Sequence, residues 1–211
     1  MNYNKLVREY RKNNIGAFFD VSKLKDTEFS EVPYKTLLKI LNRLEKEGLL
    51  KPVSKGVYFI GEKLVDEELI FDEYVDDGKG MFVGYQLFND VGISNYVDCK
   101  IEIYTNNIKT KQKSVGQYFL KKVDLEFDDD IVDLIALLEI IDVGYSMKGC
   151  DFMAYKKTVD ILLQSYSDRG FEKIVKAIRY KYSTIRQISE LLGANSIDNN
   201  CVDIFKPPIK T

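Results

Sequence analysis

The chain has no histidine at all, and its three cysteines are scattered. The first absence removes the commonest metal ligand and the commonest general base. With it go the Ser-His and Cys-His pairs of nucleophilic catalysis. Cys99, Cys150 and Cys201 are odd in number and lack paired spacing, which argues for reduced thiols rather than a disulfide framework or a zinc site. No glycine loop of phosphate-binding spacing and no internal repeat occurs. The opening MNYNKLVREY lacks the apolar core of a signal peptide. The most apolar stretch, Ile131 to Val143, is interrupted by Asp133, Glu139 and Asp142 and is too short to span a bilayer. The expectation is a soluble, cytoplasmic protein that is not an enzyme and needs neither metal nor cofactor.

What is present suits folding into one good-sized domain or two small ones. The 211 residues are 45% hydrophobic and 30% charged, the composition of a globular protein. The net charge of −2 hides a segregation. Residues 1–61 hold 12 Lys/Arg against 7 Asp/Glu, a net of +5, whereas residues 62–130 hold 8 against 16, a net of −8. Residues 131–211 are balanced, 11 against 10. A basic head on an acidic middle fits a nucleic-acid binder with a separate partner or regulatory region.

The densest signal is VPYKTLLKILNRLEKEGLLKPVSKGVYFI, Val32 to Ile60. Leu37, Ile40, Leu41 and Leu44 recur at helical spacing, so one stripe faces a core. The opposite face carries Lys35, Thr36, Lys39, Asn42, Arg43 and Lys46. Pro33 suits a first helical turn, and Gly48 suits a left-handed stop. Leu49 to Val53 and Val57 to Ile60 then read as two strands joined by Ser54-Lys55-Gly56. A helix followed by a two-stranded wing is the second half of a winged helix-turn-helix, a unit that sets its helix in a DNA major groove. Upstream, Asn4 to Lys12 reads as a basic helix with Leu6, Val7 and Tyr10 inward. Phe18, Phe19, Val21 and Leu24 supply a second small helix and complete a three-helix core.

These residues resemble the N-terminal winged-helix domain of the AbiEi-type antitoxins of bacterial abortive-infection systems. The match is carried by Leu44, Gly48, Leu49 or Leu50, and then Lys55-Gly56-Val57-Tyr58-Phe59. A second, weaker match runs through Tyr74, Gly84-Tyr85, Leu87 and Val91-Gly92-Ile93-Ser94, followed by a strand at Lys100 to Thr105. Together they cover about the first half of the chain. The sequence departs from the family in having lysines where arginine is frequent around the wing, and beyond about Asp128 it carries no diagnostic motif. The resemblance implies a transcriptional autorepressor that is also the antitoxin of a type IV pair in phage defence. Its partners would be duplex DNA, as inverted repeats in its own operator, and a nucleotidyltransferase-like toxin opposed without a stable complex. Carried over by position, the DNA contacts are Lys35, Thr36, Lys39, Asn42, Arg43 and Lys55, with Tyr34 and Lys51 as weaker candidates.

The remaining elements read as follows. Gly61 to Gly80 is an acidic stretch with apolar Leu64, Val65, Leu69, Ile70 and Tyr74, in which the spacing of Leu69, Ile70 and Tyr74 favours a helix ended by Asp77-Gly78-Lys79-Gly80, and Met81 to Val91 is a short helix. Val97 to Thr105 and Gly116 to Phe127 are strands separated by a basic loop, Asn106 to Ser114. Asp128 to Asp142, apolar nearly all round, is a central core helix with acids at its start. Tyr155 to Ser165, Phe171 to Tyr182 and Thr184 to Leu192 are further helices, and Asn195 to Thr211 is an irregular tail. The fold class is α+β: a winged helix-turn-helix over residues 1–61, an acidic helix or linker over 62–80, and a mixed C-terminal domain over 81–211 with a helical C-terminal half.

Rival readings rest on other constellations. Asp98-Cys99-Lys100 with Asp90 faintly resembles the carboxylate and lysine set of a Mg²⁺-dependent nuclease. Asp128-Asp129-Asp130 is better read as a solvated helix cap than as a metal site. Lys173, Lys176, Arg179, Lys181 and Arg186 form a basic stripe, either a solvated helix face or a second contact. The winged helix could also serve as a protein-interaction module for an acidic partner.

Overall fold

Leu37, Ile40, Leu41 and Leu44 are 5% exposed or less and anchor the first of three apolar clusters. The computed structural model describes residues 2–61 and 67–205. Its first part runs α1 (Tyr3–Asn13), β1 (Phe18–Asp20), α2 (Val21–Leu24), α3 (Tyr34–Lys46), β2 (Lys51–Ser54) and β3 (Val57–Phe59). The strands form an antiparallel sheet in the order β1-β3-β2. The leucine stripe of α3 packs with Val7 of α1 and with Phe19 and Phe29, whose rings stack at 5.5 Å. Each such side chain contributes about 1.5–3 kcal/mol on burial. Gly48, at φ 70°, turns the chain out of α3, and the Leu49 N–H donates to the Leu44 carbonyl at 2.9 Å. A side chain beyond Cα would strain that left-handed position.

Phe18 and Phe19 lie on a strand, not on the expected second helix. β1 pairs with β3, Phe18 opposite Phe59, and the pleat sends adjacent residues to opposite faces. Phe19 therefore enters the first cluster and Phe18 a different one. Helix α2 is a single turn, started by Asp20, whose carboxylate accepts from the Ser22 N–H at 2.9 Å.

The second sheet is built from β4 (Gly80–Val83), β5 (Ile101–Thr105), β6 (Gln112–Val115) and β7 (Tyr118–Lys122), in the order β4-β5-β7-β6. β5 and β7 are parallel, and the other neighbours are antiparallel. Ahead of it lies α4 (Glu67–Tyr74); Leu64 and Val65 of the expected acidic helix fall outside the described residues. Two expectations are corrected here. Met81 to Val83 is a strand, with only α5 (Tyr85–Asp90) helical, because β4 pairs with β5 and Gly80 lets the backbones close up. A Cβ at Gly80 would collide with the Tyr104 and Tyr74 carbonyls. The strand expected from Gly116 is present as β7, but the end of the expected basic loop, from Gln112, is a strand too, β6, which forms a hairpin with β7 turned at Gly116 and Gln117. The strand expected from Val97 begins only at Ile101.

Helix α6 (Asp129–Val143) is the centre of the largest cluster, and Asp128 caps it by accepting from the Ile131 N–H. Around it pack α7 (Phe152–Leu162), α8 (Asp168–Ala177), α9 (Tyr182–Ala194) and α10 (Cys201–Ile204). Helix α8 stops before extended Ile178, so Phe171 to Tyr182 is not one helix. The tail is not wholly irregular, because Cys201 on α10 is buried in this cluster.

The third cluster joins the two parts. Phe18, Val57 and Phe59 of the first sheet pack against Ile70, Tyr74, Ile103 and Leu120. Lys113 of β6 meets Asp20 at 2.6 Å, Lys23 meets Glu73 at 2.7 Å, and Lys109 meets Asp26 at 2.5 Å. Strand β6, the loop before it and α4 thereby grip the loop and one-turn helix that precede α3.

Candidate nucleic-acid interface

Burying the leucine stripe of α3 forces the residues between its members outward. Lys35, Lys39, Asn42, Arg43 and Lys46 are all exposed, and Thr36 is half-buried at the edge of this face. Lys55 is exposed at the turn between β2 and β3. Among the described residues none of Lys35, Lys39, Arg43, Lys46 and Lys55 forms an ion pair. Arg43 lies close enough to Glu47 to help hold its carboxyl low, whereas the charges of Lys35, Lys39, Lys46 and Lys55 are left to act on something outside the chain.

The neighbouring cations of α1 behave differently. Arg8 contacts Glu47 at 2.6 Å, and Lys5 lies 3.8 Å from Glu9. The Glu47 hydrogen bond holds the Arg8 guanidinium above its ordinary value, and the same bond holds the Glu47 carboxyl below the usual carboxylate range. The Arg11 Nε donates to the Leu49 carbonyl at 3.4 Å. The Arg8 and Arg11 contacts tie α1 to the residues that follow α3.

Helix α3 is a ridge between two clefts. On the α1 side, Thr36, Lys39 and Arg43 line one of about 630 Å³ together with Asn2, Tyr3 and Asn4. On the other side Tyr34, Leu38 and Lys55 border one of about 740 Å³ whose far wall is β6, through Thr110, Gln112 and Ser114. Tyr34 is 54% exposed at the start of the helix. Pro33 caps α3 without a side-chain hydrogen bond, which leaves first-turn N–H groups to solvent or to a ligand. The six sequence candidates thus divide: Thr36, Lys39 and Arg43 share one cleft, Lys55 borders the other, and Lys35 and Asn42 stand on the ridge.

Sequence reasoning missed the far wall. Lys109, Lys111 and Lys113 alternate, a strand signal, but nothing local shows that two of them clamp Asp26 and Asp20 beside the β2–β3 hairpin.

The other constellations are placed as follows. The Lys100 ammonium is 3.4 Å from Glu102 and lies over the Phe119 ring at 3.8 Å, while the Asp98 carboxylate accepts from the Lys100 N–H. Among the described residues no group of three or more Cys, Asp or Glu side chains could hold a metal ion. In the C-terminal stripe, Lys176 pairs with Glu172, Lys181 with Asp142 and Arg186 with Glu190. The first and last are i,i+4 pairs of the kind that holds exposed helix faces, and Lys181 ties the start of α9 to α6. No described helix is long and apolar enough to cross a membrane. Compared with known proteins, the sequence matches no family model and no curated protein.

Proposed function

We propose that residues 1–61 are a winged helix-turn-helix that binds duplex DNA through α3 and the β2–β3 wing. The observation that carries this reading is the unpaired cationic face of α3, Lys35, Lys39 and Arg43, flanked by Lys55 on the hairpin. Its support is threefold. The element order is helix, strand, helix, helix, strand, strand, and the helix whose face is unpaired is the one just before the hairpin. The nearby cations that do have acidic partners are spent on internal contacts. The free ones stand where phosphates or base edges would approach.

The physiological role follows from the family resemblance: an autorepressor that is the antitoxin of a type IV pair and opposes a nucleotidyltransferase-like toxin. Helix α5 supports the downstream part of that resemblance. It ends at Asp90 and is followed by Gly92, φ 74°, with Ile93 buried and the Ser94 hydroxyl donating to the Lys148 carbonyl at 2.9 Å. The glycine–aliphatic–serine exit therefore has a structural use in fixing the chain after α5.

The test is a titration of the full chain onto the DNA upstream of its own reading frame. A specific, salt-sensitive shift is expected. A protein-interaction module would give no such shift, and a nuclease would cleave plasmid when Mg²⁺ is added. For the antitoxin role, expression beside the neighbouring toxin gene should restore growth.

A further inference from the structure

The cleft between the wing and β6 is built from parts of the chain far apart in sequence. One wall is Lys55, Tyr34 and Leu38; the other is the edge of the second sheet, with Thr110, Gln112 and Ser114. Two carboxylates, Asp20 and Asp26, border it, and both are already matched by ammonium groups, Lys113 and Lys109. What remains to meet a ligand is the charge of Lys55 and of Lys25, whose ammonium donates only to the Ser30 carbonyl, with neutral hydroxyl and amide groups beside the apolar Val21 and Leu38. A polar wall with one sign of free charge is how proteins hold a sugar–phosphate backbone without reading its bases. β6 is the outer strand of its sheet, so its Gln112 side chain stands exposed at that wall.

We propose that this cleft seats one phosphodiester strand of the duplex that α3 enters, so that β6 of the second sheet is part of the DNA-binding surface. The inference rests on the DNA-binding reading and adds to it: the C-terminal part contributes directly to affinity through Gln112 and its neighbours. The contact is to backbone, so it carries affinity for any sequence alike.

Two substitutions of opposite sign at one exposed position test it in the full chain. Gln112→Glu adds a negative charge with almost no change of shape, and Gln112→Lys adds a positive one. Binding is read by fluorescence anisotropy on the chain's own upstream DNA and on a scrambled duplex, over a salt series, with Lys39→Ala alongside. Gln112→Glu should weaken binding to both duplexes equally, by about fivefold at low salt, the worth of one unit charge about 4 Å away in water. Gln112→Lys should strengthen both and steepen the salt slope by about 0.9. If both Gln112 variants bind like the parent while Lys39→Ala is weakened, the cleft does not seat the strand, and the DNA-binding reading survives. If Lys39→Ala also binds like the parent, the DNA-binding reading falls and this inference with it.

Discussion

The Lys113 ammonium stands 2.6 Å from the Asp20 carboxylate, across 93 residues of sequence, and both side chains are nearly buried. Asp20 also caps α2 through the Ser22 N–H and accepts from the Ser22 hydroxyl. One carboxylate therefore holds together a helix start, the end of the first sheet and the edge of the second.

Removing one partner of this pair should cost more than removing both. Lys113→Met leaves a buried carboxylate unpaired and should destabilise the protein by about 3–5 kcal/mol. Lys113→Met with Asp20→Asn should recover part of that loss, which urea unfolding at neutral pH would measure. Equal stability of the single and double variants would show that the pair contributes nothing.

The same carboxylate sets part of the acid limit. Burial pushes the Asp20 carboxyl up, but the hydrogen bonds from Lys113 and Ser22 and the Lys113 charge outweigh it and hold it low. A value lowered on folding contributes stability above the unfolded value, about 3.9, and the contribution is lost as pH falls through the folded value. Melting temperature should thus fall less steeply below about pH 4 in the Lys113→Met variant than in the parent.

Glu139 should behave in the opposite sense. Its carboxylate accepts from the Tyr180 hydroxyl at 2.9 Å and the Tyr104 hydroxyl at 3.0 Å. Burial nonetheless pushes the carboxyl up, and those hydrogen bonds offset only part of the shift. A carboxyl raised on folding contributes stability below its unfolded value of about 4.3, and that contribution is lost as pH rises through the folded value. Glu139→Gln keeps an oxygen for both hydroxyls and no longer titrates. Its melting temperature relative to the parent should rise as pH increases above about 4; a constant difference would contradict this.

Two positions probe the packing of the two parts, one in each. Leu44→Ala removes a fully buried side chain and should cost about 2–5 kcal/mol. Gly80→Ala forces a methyl group against two backbone carbonyls and should cost about 1–3 kcal/mol or more. Denaturant midpoints measure both, and an unchanged midpoint for Leu44→Ala would mean that a different face of α3 is buried.

Helix α3 was legible in sequence because every local signal agrees: the leucine stripe, the proline before it and the glycine after it. The same holds for α6, whose apolar surface is buried as expected, with Asp128 as its cap. Where sequence reading failed, tertiary pairing decided. Phe18-Phe19 and Met81 to Val83 are apolar runs too short to show a period, and each became a strand because a partner strand lay beside it. Ile178 and Tyr180 are buried with Arg179 exposed between them, a period of two that marked the break between α8 and α9. The exposed face of the candidate interface could be read from spacing alone. Its second wall could not, since Lys55 and Gln112 meet at one cleft only through the packing of two sheets.

Binding of Lys39→Ala and Arg43→Ala to the chain's own upstream DNA, beside the parent and a scrambled duplex across a salt series, tests the central claim most directly. Both side chains are exposed, so folding should be unchanged. The account predicts weaker operator binding by each variant. A lost phosphate contact would reduce the salt slope by about 0.9, and a lost base contact would remove about 1–3 kcal/mol of discrimination between the two duplexes. If both variants bind the operator as tightly as the parent, with the same slope and the same preference, the face of α3 is not a DNA-binding surface.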